Sequence, residues 1–172
     1  LIRIGKHCIL AVTTDTIIEE INVGLYTDPY QIGWMMATSN FSDIAAVGAK
    51  PLGLLVNLHI PGDTNINYIP NVYRGISDAC DLYGAKILGG DTNHAPCFEL
   101  GGTAIGMIRD ERIITRKGCQ PGDQLYASGK LGAGGFFALL QLFPSIDAEF
   151  RYLPQARIAE GQLIRKFGKT CI

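Results

Sequence analysis

Three aspartates, Asp15, Asp43 and Asp91, each stand beside a hydroxyl side chain within apolar sequence. Their contexts are Val12-Thr13-Thr14-Asp15-Thr16, Asn40-Phe41-Ser42-Asp43-Ile44-Ala45-Ala46 and Leu88-Gly89-Gly90-Asp91-Thr92. Carboxylates are hard oxygen ligands of the kind magnesium takes. The two glycines before Asp91 permit a sharp turn and a close approach by a ligand. An isolated Asp beside Ser or Thr is ordinarily a helix cap or a turn residue. That plain reading weakens for Asp43, which falls inside an expected helix where no cap is needed. It weakens for Asp15 too, because a carboxylate desolvated at the end of an apolar strand needs a partner. Asp91 follows another strand, and strand ends of an α/β sheet are where ligands commonly bind. Together the three point to a metal–phosphate site.

Other candidates are less specific. Gly129-Lys130-Leu131-Gly132-Ala133-Gly134-Gly135 has the look of a turn that offers backbone N–H groups to a phosphate. It matches neither the P-loop nor the dinucleotide fingerprint, and a tight strand-to-helix turn explains it equally well. Arg116 lies in Ile113-Ile114-Thr115-Arg116-Lys117-Gly118. A solvated basic pair is its ordinary reading, although the planar guanidinium is a good phosphate anchor. His7, His59 and His94 are unclustered and read as surface or satisfied histidines. No cysteine has a histidine near it in sequence, so no nucleophile is assigned.

The elements that would position these groups alternate between helix and strand. Cys8 to Val12, Leu52 to Ile60, Ala85 to Leu88, Cys97 to Ile108 and Gln124 to Ser128 read as strands, several of them continuous apolar runs expected to be buried. Gln31 to Val47 reads as a helix, entered through Asp28-Pro29 and stopped by Gly48. Asn65 to Tyr83 carries Ile66, Ile69, Val72, Tyr73, Ile76, Ala79, Cys80 and Tyr83 at three- and four-residue steps, the stripe of an amphipathic helix. Asp63 or Thr64 would cap it, unless Pro70 marks its true start. Phe136 to Phe143 and Gln155 to Phe167 are the last two helices. The order implies an α/β or α+β fold.

Composition bounds the function. At 172 residues the chain holds one domain with perhaps the start of another. Apolar residues form 47% and charged ones 18%, and the net charge is −1. This balance gives no support for broad electrostatic binding to nucleic acid. No apolar run reaches the roughly 18 residues of a membrane helix. Five scattered cysteines without a CxxC pair argue against zinc and for reduced thiols in the cytoplasm. With no initiator Met and an apolar closing turn, Thr170-Cys171-Ile172, the sequence is expected to be part of a longer chain.

Four motifs occur in one order: Thr13-Thr14-Asp15-Thr16-Ile17-Ile18-Glu19, Asn40 to Pro51, Gly89-Gly90-Asp91-Thr92, and Arg116 to Asp123. Together they resemble the superfamily of aminoimidazole ribonucleotide synthetase, and within it thiamine-monophosphate kinase most closely. The synthetase branch generally has Glu in place of Asp91. The resemblance implies an ATP-dependent enzyme of two α/β domains, the first with a mixed sheet, flanking helices and a homodimer formed through the sheet. It implies magnesium bound by Thr14, Asp15, Asp43 and Asp91 with Thr13 beside them, and nucleotide contacts from Gly90, Asp91 and Arg116. Asn22 stands where the kinases have a substrate-facing His, and Met35 where they often have Lys. On this reading residues 1–143 are the ATP- and magnesium-binding domain. Residues 144–172 are the connection to, and first helix of, a second domain whose Ser-Asp-Gly motif would follow Ile172. Three functions stay open: a kinase acting on a small phosphorylated metabolite, a related synthetase or dehydratase (selenophosphate synthetase and the hydrogenase-maturation enzyme share parts of the pattern), and a non-catalytic dimerising domain.

Overall fold

The computed structural model describes residues 1–109, 112–143, 145 and 150–168. Its elements in chain order are β1 (Ile2–Gly5), β2 (Cys8–Thr16), α1 (Glu19–Asn22), α2 (Pro29–Ala46), β3 (Lys50–Ile60), α3 (Tyr68–Leu82), β4 (Lys86–His94), β5 (Glu99–Ile108), α4 (Ala133–Leu142) and α5 (Ile158–Phe167). Five strands form one mixed sheet in the order β1-β2-β5-β3-β4. Only the β3–β4 pair is parallel, joined through α3. The expected closing turn Thr170 to Ile172, with Cys171, lies outside the described residues.

Alternation along the strands decides which side is covered. In β2, Ile9 and Ala11 are buried while Val12 is exposed, and in β3, Leu54, Val56 and Leu58 are buried while Leu55 and Asn57 are exposed. The buried set faces α2, whose Ile32, Met36, Phe41 and Ile44 have essentially no exposed surface. α2 begins as its sequence dictates: the Asp28 side chain accepts from the backbone N–H of Tyr30 and Gln31, with Pro29 in the first turn. Gly48 follows its end at φ +66°. α3 lies against α2 through Val72, Gly75, Ile76, Ala79 and Cys80. The chain then returns to α2. Gln31 Nε2 donates to the Tyr152 carbonyl at 2.8 Å, and Trp34 Nε1 donates to the Pro154 carbonyl at 2.7 Å.

Several sequence expectations need correction. Gln124 to Ser128 is not a strand: Leu125 and Tyr126 are exposed and no ladder pairs them. Extended sequence becomes a strand only where a neighbour completes its hydrogen bonds, and the sheet ends at β1 and β4. Consequently no strand precedes the Gly129–Gly135 turn. Leu88 is not buried, because β4 is an edge strand exposed along its length. α3 starts at Tyr68 without a side-chain cap, and Pro70 sits in its first turn. Thr64, expected to cap it, donates its hydroxyl to the Pro61 carbonyl. β2 and β4 each run further than their apolar cores, so the segments holding Asp15 and Asp91 belong to the strands themselves.

Candidate functional site

The end of β2 and the last turns of α2 face each other. Odd-numbered β2 residues point toward α2, so Thr13 meets that helix as Ala11 does one step earlier. Thr13 Oγ1 donates to Asp43 Oδ2 at 2.5 Å. Asp43 is exposed on α2, and no capping role accounts for it. The Asp15 carboxylate accepts from the N–H of Thr16 at 2.9 Å. Thr14 Oγ1 donates to the carbonyl of Gly102 on β5 at 2.8 Å and accepts from Thr103 Oγ1 at 3.3 Å.

Thr13 and Asp43 line a cleft of about 430 Å³ whose other wall holds Thr115 and Arg116. The segment carrying Arg116 has no regular structure but is anchored by Ile114, which is only 2% exposed. The cleft thus brings together a carboxylate, two threonines and a guanidinium. That pairing of a hard-cation ligand with an anion anchor suits a metal-bound phosphate. Thr115 carried no signal of its own in the sequence.

Asp91 stands elsewhere. The ladder aligns Thr16, Gly101, Asn57 and Asp91 in one row across β2, β5, β3 and β4. Three strand spacings separate Asp91 from β2, roughly 14 Å at the usual inter-strand distance. Its carboxylate accepts from the Thr92 N–H at 2.9 Å and from Asn93 Nδ2 at 2.7 Å. Gly90 has a structural reason to be glycine: at φ +155° an added Cβ would lie 1.8 Å from the Val56 carbonyl oxygen. Asn22 closes α1 and is exposed. His59 is satisfied as expected, by Glu99 at 2.7 Å, and His94 donates to the Ile60 carbonyl at 3.0 Å.

The donor set fits magnesium in a particular way. Among the described residues no three His, Cys, Asp or Glu side chains gather closely enough to cage a metal ion. Magnesium seldom asks for such a cage; it is commonly held by one or two carboxylates together with substrate phosphates. Asp43, on the wall of the cleft that also holds Arg116, fits that pattern; Asp15, two residues along β2 from Thr13, is not among the residues that line the cleft. Among the described residues no helix is long and apolar enough to cross a membrane.

The comparisons with known proteins place this arrangement of sheet, helix and Thr13–Asp43 bond in a family. Residues 1–108 match the family described as AIR synthase related protein, N-terminal domain, and the chain belongs to it. Its relatives include the thiamine-monophosphate kinase of Methanocaldococcus jannaschii, 33% identical over 99% of this chain and 58% of the relative. That of Escherichia coli K12 is 31% identical over the whole of this chain and 55% of its own length. Among solved structures, AaThiL complexed with AMPPCP and TMP superposes with a TM-score of 0.82 at 26% identity, over 96% of this chain and 56% of that one. The E. coli hydrogenase maturation protein HypE shares the fold at 20% identity, with a TM-score of 0.73 over 92% of this chain and 50% of its own. The chain spans little more than half the length of these relatives.

Proposed function

We propose that this chain is the nucleotide-handling part of an ATP- and magnesium-dependent phosphotransferase of the thiamine-monophosphate kinase type. It would pass a phosphoryl group from ATP to a small phosphorylated metabolite. The observation that carries the reading is the Thr13–Asp43 bond on the wall of a cleft shared with Arg116. Relatives named for this kinase, and the AMPPCP and TMP bound in AaThiL, support it.

In this reading Asp15 and Asp43, with Thr13 and Thr14, would hold magnesium, and Arg116 would take a phosphate oxygen. Gly90 and Asp91 meet the nucleotide from the sheet edge, and Asp91 contributes to metal binding there. Asn22 contacts the acceptor. Bound magnesium supplies charge neutralisation on the phosphates. Phosphoryl transfer asks the protein chiefly for positioning and electrostatic stabilisation. The protein's part is to keep Asp43 oriented, which Thr13 does by occupying one of its oxygens. Residues 1–143 form the ATP-binding domain and 144–172 lead into a second one. The enzyme acts in the cytoplasm as a homodimer joined through the open sheet face, where Val12, Leu55 and Leu88 are exposed.

The test uses the full-length protein. Calorimetry with ATP and magnesium should show binding, and ADP release should depend on thiamine monophosphate. Asp43→Asn should lower turnover by about 10²–10³-fold, the range for removing one electrostatic group at a transferring centre, with an unchanged melting curve. No heat at millimolar nucleotide would favour the non-catalytic reading. ATP consumption that yields AMP would point to a selenophosphate-forming relative.

A further inference from the structure

Asn40 is the oddest residue inside this molecule. It lies in the middle of α2 with no exposed surface. Among the described residues, its Oδ1 is the one buried side-chain oxygen or nitrogen that lacks a hydrogen-bond partner. Its Nδ2 donates to the Met36 carbonyl at 2.9 Å and reaches the Asp15 carbonyl at 3.4 Å. Turning the amide over would set Oδ1 against both carbonyl oxygens. The two carbonyls therefore fix its orientation and leave Oδ1 buried without a partner.

An unpaired buried acceptor opposes folding, and Asn is a poor residue for a helix interior. Leucine would remove both penalties. The surroundings are nonetheless cut to admit this amide. Gly102 stands opposite Asp15 in the β2–β5 ladder. A Cβ on Gly102 would lie 2.9 Å from Asn40 Nδ2 and 2.5 Å from Met36 Sδ. The same glycine's carbonyl accepts from Thr14 Oγ1.

Spacing gives the arrangement its meaning. Asn40 and Asp43 are three apart on α2, about 5–6 Å along one helix face. Asp15 and Thr13 are two apart on β2, about 6.6 Å along one strand face. The two steps nearly match, so α2 is tied to β2 at two points: Asp43 to the Thr13 hydroxyl and Asn40 to the Asp15 carbonyl. The ladder to β5 fixes Asp15 within the sheet, and the second tie fixes how closely that end of β2 sits against α2. We infer that Asn40 is a positioning residue, which holds the Asp15 peptide against α2 and so sets Thr14 and Asp15 relative to Asp43. Its link to metal binding rests on the magnesium reading above; its hold on the strand end does not.

The test compares the full-length protein with Asn40→Leu. Three quantities are followed: Mn²⁺ affinity by electron paramagnetic resonance, thermal midpoint, and amide exchange across residues 13–17. The inference expects Mn²⁺ affinity to fall by about tenfold or more, the usual loss when a group supporting metal ligands is removed. The midpoint should be unchanged or higher, and exchange in that segment faster. Asn40→Ser, which cannot reach Asp15 and places no bulk in the slot, should lose the same affinity, and it guards against a Leu variant that misfolds. Mn²⁺ affinity and exchange indistinguishable from the unaltered protein would overturn the inference. If the unaltered protein takes up no Mn²⁺, the magnesium reading fails, and exchange alone decides: faster exchange in the variants upholds the tie, unchanged exchange removes it.

Discussion

Thr13 is where local chemistry can be probed with least disturbance. Valine has nearly the same shape and lacks the hydroxyl that donates to Asp43. A hydrogen bond to a carboxylate contributes about 1.5–3 kcal/mol when shielded, but Asp43 is exposed and solvent replaces much of that. Thr13→Val should therefore change unfolding free energy by under about 1 kcal/mol, measured by urea titration. The magnesium concentration for half-maximal ADP formation should rise several-fold, because Asp43 loses the partner that orients it. An unchanged magnesium requirement would mean that the bond is packing and nothing more. How far such residues were legible in advance depends on where their partners lie. Asp43 was conspicuous because a carboxylate inside a small apolar helix has no local use. Asn40 carries no comparable mark: its meaning comes from a carbonyl 25 positions away and from a glycine on a third element. Asp91 stands out in sequence by its two preceding glycines, but its distance from Asp15 depends on ladder order, which no local pattern encodes.

Helices announced themselves well because their signals are short-range. Asp28-Pro29 before α2, Gly48 and Gly84 after α2 and α3, and the three-to-four spacing along α3 all act within a turn or two. Strands were less legible. Gln124 to Ser128 has the composition of a strand and lacks a neighbour, whereas β1 has a neighbour and gave no signal. The contact between α2 and α3 explains two glycines that sequence left unexplained. A Cβ on Gly75 would lie 2.0 Å from the Tyr30 carbonyl oxygen, and one on Gly33 would lie 1.9 Å from that of Val72. Each helix gives up a side chain where the other's backbone passes. Gly75→Ala sets two effects against each other. Alanine improves helix propensity by about 1 kcal/mol, while forcing atoms into a close-packed contact costs about 1–3 kcal/mol. The contact here is with backbone, which cannot swing aside, so the clash should win. A lower urea midpoint for Gly75→Ala is expected, and the same for Gly33→Ala; a raised midpoint would show that the helices separate freely.

Among the described residues the sheet has one face under α2 and one face bare, and this asymmetry governs the molecule's behaviour as a unit. On the covered side, burial holds the Cys80 thiol up, from 9.0 to about 11, with nearby Asp81 adding to the effect. Burial likewise raises the Tyr26 hydroxyl from 10.0 to about 12, helped by Tyr152 and Glu20. Both groups keep their protons in the folded chain at pH values where the unfolded chain has lost them. The stability these two groups contribute is therefore full below about pH 9 and is lost as pH rises from there toward 12. Chemical denaturation at stepped pH should show this, with Cys80→Ala flattening the earlier part of the decline. On the bare side, Val12, Leu55 and Leu88 are 43%, 39% and 53% exposed on strands that run side by side or nearly so. Apolar residues gathered on a flat sheet face are what an association surface offers, and a stable pair of subunits needs roughly 800 Å² from each. Leu55 sits on β3, between β5 and β4, with its side chain away from α2. Replacing it by Glu leaves the α2-facing core intact and places a charge against its own copy across any symmetric contact near that strand. Light scattering should give twice the chain mass for the unaltered full-length protein and a single chain mass for Leu55→Glu, with melting lowered through loss of the partner. A dimer unmoved by this change would place the contact elsewhere, and a monomer from the outset would leave the bare face to be covered within one chain.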